Sequence, residues 1–136
     1  ANLPRQLQRP IAMINLDMTG VGDSIRISGG EKYPDLASTA AAAGEGLGTK
    51  ILRGELTIPP NSDYGPFMER GIPVLGITSA GGRGQGGPMR GHTPRATMDQ
   101  INPEIAAAIA RLLFGTAWQV ANRKETAKSL NLHLPA

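Results

Sequence analysis

The chain has 136 residues, enough for a single domain, or part of one, with a substantial core. Its net charge is +3, but the basic residues are dispersed and lack aromatic interleaving, so we predict no nucleic-acid partner. No apolar stretch approaches the ~20 residues of a membrane span, and the absence of cysteine excludes disulfide frameworks and thiolate metal sites. The chain opens at Ala1 without Met or a signal-like apolar region, which indicates a removed N-terminal segment or a fragment.

The first third of the chain predicts two strands separated by a loop. Residues 11–16 form a nearly unbroken apolar run, typical of a strand covered on both faces. This run ends at Asp17, and Gly20 and Gly22 indicate a loop. Residues 24–28 alternate polar and apolar side chains, which predicts a half-buried or edge strand.

The middle of the chain predicts a helix, a short strand and a second, shorter helix. Residues 34–43 are rich in alanine and begin with proline, which favours a helix. Residues 51–58 could form a short strand. Asp63 or Ser62 is expected to cap a short helix that stops at Gly71.

The last part of the chain predicts a buried strand, a long loop and the clearest helix. Residues 72–78 are apolar, and the glycine-rich residues 79–91 follow them. Residues 82–87 match G-x-G-x-x-G, but no helix opens there, so we reject dinucleotide binding. Asn102 should cap a helix whose packing face comprises Ile105, Ile109, Leu112, Leu113, Thr116, Ala117 and Val120.

These elements predict an α/β fold with a partial, mostly parallel sheet flanked by helices on both faces. The sheet would be small for such a fold. We therefore interpret residues 1–136 as a single partial domain, with residues 123–136 as a peripheral tail.

Three residues could carry chemistry. Asp17 directly follows an apolar strand, where a carboxylate is either paired or coordinated, although capping of the loop is the commoner role of such an aspartate. His92 ends the glycine-rich segment and offers an imidazole that zinc accepts, although a lone surface histidine is usually no ligand. Asp63 could cap a helix or orient a neighbour.

Taken together, three segments resemble metallopeptidase family twenty-eight, the di-zinc aminopeptidases. They are Leu16-Asp17-Met18, then residues 62–67 (SDYGPF) with the G-I-P of residues 71–73, then residues 92–101 (HTPRATMDQI) before a long helix. Each motif is weak alone, but their order and spacing hold over roughly residues 11–122. The resemblance implies the C-terminal half of a zinc exopeptidase domain.

The resemblance also assigns roles. It implies that Asp17 ligates one zinc ion and His92 the other. We also expect these two side chains to approach one another, because both follow apolar strands at the carboxyl edge of one parallel sheet. The resemblance further implies that Thr97 and Asp99 brace the segment holding His92, and that Asp63 supports the site. The paired metals of such a site activate water, and peptides are the substrates.

The chain also departs from the family pattern. It has no histidine before His92 and no adjacent glutamates, so the bridging aspartate, another histidine and the glutamate base are missing. Tyr64 stands where the family often has histidine, and it is the one candidate for oxyanion assistance. Ala96 stands where the family often has aspartate.

We therefore predict the C-terminal part of a zinc aminopeptidase, inactive alone, whose N-terminal half lies on the same precursor or another chain. A catalytically dead binding or assembly module and a single-zinc acyltransferase resembling glutaminyl cyclase are the alternatives. By resemblance, the protein would be secreted or periplasmic.

Overall fold

A computed structural model describes residues 10–56, 62–81, 94 and 97–123. Four strands lie in this part of the chain: β1 (Met13–Leu16), β2 (Ser24–Ser28), β3 (Lys50–Gly54) and β4 (Val74–Ala80). Three helices accompany them: α1 (Pro34–Gly44), α2 (Gly65–Glu69) and α3 (Pro103–Ala121). A short 3-10 helix at Met98–Gln100 precedes α3.

The strands form one sheet in the order β1-β4-β2-β3. β1 pairs in parallel with β4, and β2 pairs in parallel with β3, whereas β2 and β4 are antiparallel. The predicted α/β fold with a mostly parallel sheet is therefore confirmed.

β1 lies at an edge of the described sheet, a position that its apolar run did not indicate. Ile14 packs against one apolar cluster and Met13 against another on the opposite face, so both faces carry apolar contacts, as predicted, although the strand is only partly buried. β2 is an inner strand with Ser24 and Ser28 buried, because β3 and β4 flank it. Its alternating pattern reflects two faces of different chemistry, not an edge.

The main core lies on one face of the sheet, beneath α1 and α3. Strand alternation directs Ile25, Ile27, Leu75 and Ile77 to this face. They pack with Leu36 and Ala40 of α1 and with Ile105, Ala108, Ile109, Leu112 and Val120 of α3. Burial of this apolar surface is the main source of the fold's stability.

The other face of the sheet carries a smaller cluster beside α2. Leu56, Tyr64 and Val74 are buried there, with Met13 and Phe67 packed against them. Helices therefore lie on both faces, as predicted, but α2 has five residues and covers only one end. The rest of this face is polar.

Helix α3 begins as predicted. The Asn102 side chain accepts hydrogen bonds from the backbone N–H groups of Glu104 and Ile105 at 3.1 and 3.3 Å. The buried face of α3 differs slightly from the predicted one, since it includes Ala108 and leaves Ala117 exposed. None of the helices in the described ranges is long and apolar enough to cross a bilayer.

The predicted cap of α2 is wrong. Its N-cap is Tyr64, with no side-chain hydrogen bond to the helix, and Ser62 instead accepts a hydrogen bond from Asn15 at 3.1 Å. The predicted stop is confirmed, since Gly71 and Ile72 donate backbone hydrogen bonds to Met68 and Phe67, both at 3.0 Å. This is the Schellman arrangement.

We expect Leu112→Ala to lower the free energy of unfolding by about 2–5 kcal/mol, because Leu112 is fully buried between the helices and the sheet. Met98→Ala is the control, since Met98 is 83% exposed, and it should change stability by less than about 0.5 kcal/mol. Urea unfolding followed by circular dichroism measures both. Equal effects of the two variants would contradict the assigned core.

Candidate active site

Asp17 lies one residue beyond β1, at the carboxyl end of this strand, and is exposed. Its backbone N–H donates to the carbonyl of Ile77 at 3.3 Å, which holds it against β4. Ligands of open α/β sheets collect outside the carboxyl ends of the strands. The position predicted from the sequence is therefore one at which a carboxylate is available to a ligand.

The loop after Asp17 is fixed by a serine that the sequence did not indicate. Ser79 of β4 donates from its hydroxyl to the carbonyl of Met18 at 2.6 Å, and the same hydroxyl accepts from the N–H of Val21 at 3.1 Å. Met18 has a φ of 49°, a left-handed conformation that is uncommon for a residue with a side chain. Backbone strain next to Asp17 is typical of a functional site.

Asn102 secures the same loop from the other side. Its backbone N–H donates to Gly20 at 2.6 Å, and its side-chain amide donates to Gly22 at 2.8 Å. One asparagine thus caps α3 and holds the loop that follows Asp17. The orientation of this loop consequently depends on the packing of α3.

A cleft of about 240 Å³ opens on the polar face of the sheet. Two rows of residues cross its floor, one running Asn15, Gly76 and Ser28, and the next running Asp17, Thr78 and Arg26. Glu55, Leu56, Ser62 and Tyr64 complete the lining. Convergent polar groups in a concave site are typical of a ligand-binding cleft.

Asn15 is 8% exposed, although the sequence placed it inside an apolar run. Its hydrogen bond to Ser62 joins β1 to the segment before α2. Nothing local to Asn15 could have indicated this role, because its partner is 47 positions away.

The structure distributes the other predicted site residues unevenly. Tyr64 is 6% exposed and belongs to the smaller core cluster, although it also lines the cleft. Asp63 is exposed and is not among the described residues that line the cleft. Oxyanion assistance by Tyr64 and site support by Asp63 remain predictions.

Thr97 and Asp99 lie at the turn before α3. Both are exposed, and the Thr97 hydroxyl accepts a hydrogen bond from Gln100 at 3.2 Å. His92 lies outside the described residues. Its approach to Asp17, and the bracing of its segment by Thr97 and Asp99, therefore stay predictions.

The donor set for a metal ion is incomplete in the part of the chain that the structure describes. A carboxylate oxygen such as that of Asp17 is a suitable zinc donor, but a catalytic zinc takes three protein ligands. No group of three or more His, Asp or Glu side chains is placed to hold a metal ion within the described ranges. These residues do not form a zinc site by themselves.

The sequence of this chain matches the model of peptidase family M28 over residues 2–117. The chain therefore belongs to this family of peptidases. No curated protein matches the chain.

Solved aminopeptidases share the fold. An aminopeptidase from Aneurinibacillus sp. strain AM-1 is 26% identical with a TM-score of 0.66, and the match covers 86% of this chain and 27% of that one. The LapA aminopeptidase of Legionella pneumophila is 19% identical, with a TM-score of 0.68 and coverage of 84% and 32%. A zinc aminopeptidase from Bacillus subtilis is 18% identical, with a TM-score of 0.67 and coverage of 91% and 32%. The match thus spans about a third of each of these chains.

We expect Ser79→Ala to free the loop that carries Asp17, because it removes both contacts of the hydroxyl. Hydrogen–deuterium exchange should speed up at Val21 and its neighbours, with a loss of about 1–2 kcal/mol in stability. Ser38→Ala is the matched control, since the Ser38 hydroxyl bonds only within α1, at the Asp35 carbonyl, among the contacts described. Unchanged exchange in the Ser79 variant would contradict the assigned anchoring.

Proposed function

We propose that this chain is the C-terminal part of a zinc-dependent aminopeptidase that removes N-terminal residues from peptides. The observation that carries the proposal is the exposed Asp17 carboxylate beside a polar cleft at the carboxyl end of β1. Membership in peptidase family M28 supports it, as does the fold shared with three aminopeptidases. Secretion is part of the same proposal, from the resemblance alone.

Asp17 would supply one carboxylate to the metal centre, and His92 one imidazole. The number of ions, two by resemblance, belongs to the proposal. The remaining ligands and the general base would come from a segment that supplies the other part of the domain. The edge position of β1 offers that segment a place to pair, because an edge strand presents unpaired backbone groups.

We expect the 136-residue chain alone to show no aminopeptidase activity, because its sequence has neither adjacent glutamates nor a histidine before His92. Hydrolysis of leucine p-nitroanilide with added zinc, together with metal analysis, tests this expectation. Chelator-sensitive hydrolysis with two zinc ions bound per monomer would contradict it.

The coding sequence upstream of this chain decides between the proposal and its alternatives. A His-x-Asp motif and a Glu-Glu pair would support the peptidase. Their absence would favour a catalytically dead binding or assembly module. Cyclisation of an N-terminal glutamine to pyroglutamate with release of ammonia, with one zinc ion bound, would instead indicate the glutaminyl-cyclase-like alternative.

In a catalytic domain completed by that segment, Asp17→Asn should lower kcat by at least about a hundredfold while leaving the unfolding transition unchanged. The amide keeps the size of the side chain but is a poor metal ligand, and Asp17 is exposed, so folding does not depend on it. Asp35→Asn is the matched control, because Asp35 is an exposed aspartate in the first turn of α1. Normal turnover and metal content in the Asp17 variant would refute the assignment.

A further inference from the structure

Arg26 has an unusual place for a cation, in the middle of an inner strand on the floor of the cleft. It is half-buried in β2, between Ile25 and Ile27, which point into the main core on the opposite face. Its guanidinium has no ion pair or hydrogen bond among the contacts that the structure describes. An arginine that lines a cleft without such a partner has its N–H groups available to an anionic ligand.

The sheet is built to accommodate this side chain. A Cβ atom at position 54 would lie 2.7 Å from Cδ of Arg26 and 2.5 Å from Oγ of Ser28. Glycine at position 54 of β3 therefore leaves the room that the stem of Arg26 occupies. Any larger residue there would displace the arginine from the floor of the cleft.

Arg26 and Asp17 mark two ends of one row. Leu16 pairs with Ile77, so the next residue, Asp17, lies beside Thr78. Arg26 pairs with Thr78 from the other side, so β4 separates Asp17 from Arg26. Two strand spacings separate their backbones by about 10 Å. Two extended residues span at most about 7 Å, so a dipeptide fits between the two side chains.

We propose that Arg26 binds a carboxylate of the substrate, so that the cleft prefers short peptides carrying an anion one residue beyond the cleaved bond. This inference rests on the proposed aminopeptidase function, in which Asp17 belongs to the metal centre and the N-terminal residue of the peptide would therefore lie beside it. The guanidinium suits a carboxylate, because its N–H groups match both oxygens. Glu55 is the second carboxylate among the described lining residues, and it is exposed.

The carboxylate has two sources, the C-terminus of a dipeptide or an acidic side chain at its second position. Three probes distinguish them: Leu-Gly has a free C-terminus, Leu-Asp-amide has only the side-chain carboxylate, and Leu-Gly-amide has neither. Binding of each probe to the 136-residue chain is measured by NMR titration of the backbone amides, which requires no catalysis.

We expect at least one carboxylate probe to bind about tenfold more tightly than Leu-Gly-amide, a modest effect for a charge-assisted hydrogen bond. Arg26→Gln should remove this preference. Arg53→Gln is the matched control, because Arg53 lies on β3 but alternates to the other face, and it should keep the preference. Whichever carboxylate probe binds more tightly identifies the source.

Two further variants keep the test decisive if Arg26→Gln does not fold. Arg26→Lys keeps the charge but loses the two-pronged geometry and should retain only part of the preference. Gly54→Ala keeps the arginine but displaces its stem, and it should weaken carboxylate binding severalfold while leaving Leu-Gly-amide unaffected.

The outcomes also separate this inference from the proposed function. Equal binding of all three probes, with shifts around Asp17, would overturn the arginine subsite and leave the proposed function standing. A preference that persists in Arg26→Gln would overturn the inference as well. Failure of every probe to bind would overturn both the peptide-binding role of the cleft and the arginine subsite. The proposed function is tested separately, by measuring aminopeptidase activity of the completed domain.

Discussion

Strand β4 is the constraint on which the rest of this structure depends. It pairs with β1 on one side and β2 on the other, and Val74, Leu75 and Ile77 are fully buried along it. Because successive side chains of a strand point to opposite faces, one strand serves two surfaces. Leu75 and Ile77 face the core beneath α1 and α3, whereas Gly76 and Thr78 form part of the floor of the cleft. The Ser79 hydroxyl near the end of β4 then holds the loop beyond Asp17 by donating a hydrogen bond to Met18.

This arrangement links the candidate site to the core through few contacts. The loop after Asp17 is hydrogen-bonded to Ser79 on the sheet and to Asn102 at the start of α3. Helix α3 is in turn held in place by its buried face. The left-handed backbone at Met18 is tolerated because both anchors act on this loop. A change in the packing of α3 would consequently reach Asp17 through this loop.

The sequence predicted those features whose signals are local. The Asn102 cap followed by Pro103 predicted the start of α3, and the apolar runs predicted β1 and β4 to within a few residues. The position of Asp17 at a strand end also follows from local pattern. The predicted strand at residues 51–58 is observed as Lys50–Gly54, and residues 57–58 lie outside the described part of the chain.

What the sequence could not predict depends on partners that are distant along the chain. The hydrogen bond from Asn15 to Ser62 spans 47 positions, and the bond from Ser79 to Met18 spans 61. Ser62 resembles a helix cap by its position, but Asn15 engages its hydroxyl, so α2 begins without a side-chain cap. Strand order is likewise set by tertiary pairing, so the apolar sequence of β1 did not indicate that this strand lies at an edge of the described sheet.

The two faces of the sheet explain how a chain can carry a substantial core and still have an incomplete site. The main cluster is assembled from β2, β4, α1 and α3, all within the described residues, so its burial does not require another segment. The opposite face is covered at one end by α2, and glycine, serine, arginine and aspartate line the cleft along the rest. The core on one face therefore provides most of the stability, and the residues that could bind a ligand lie on the other face. A family member that spans about a third of its solved relatives can consequently keep the core without containing the whole site.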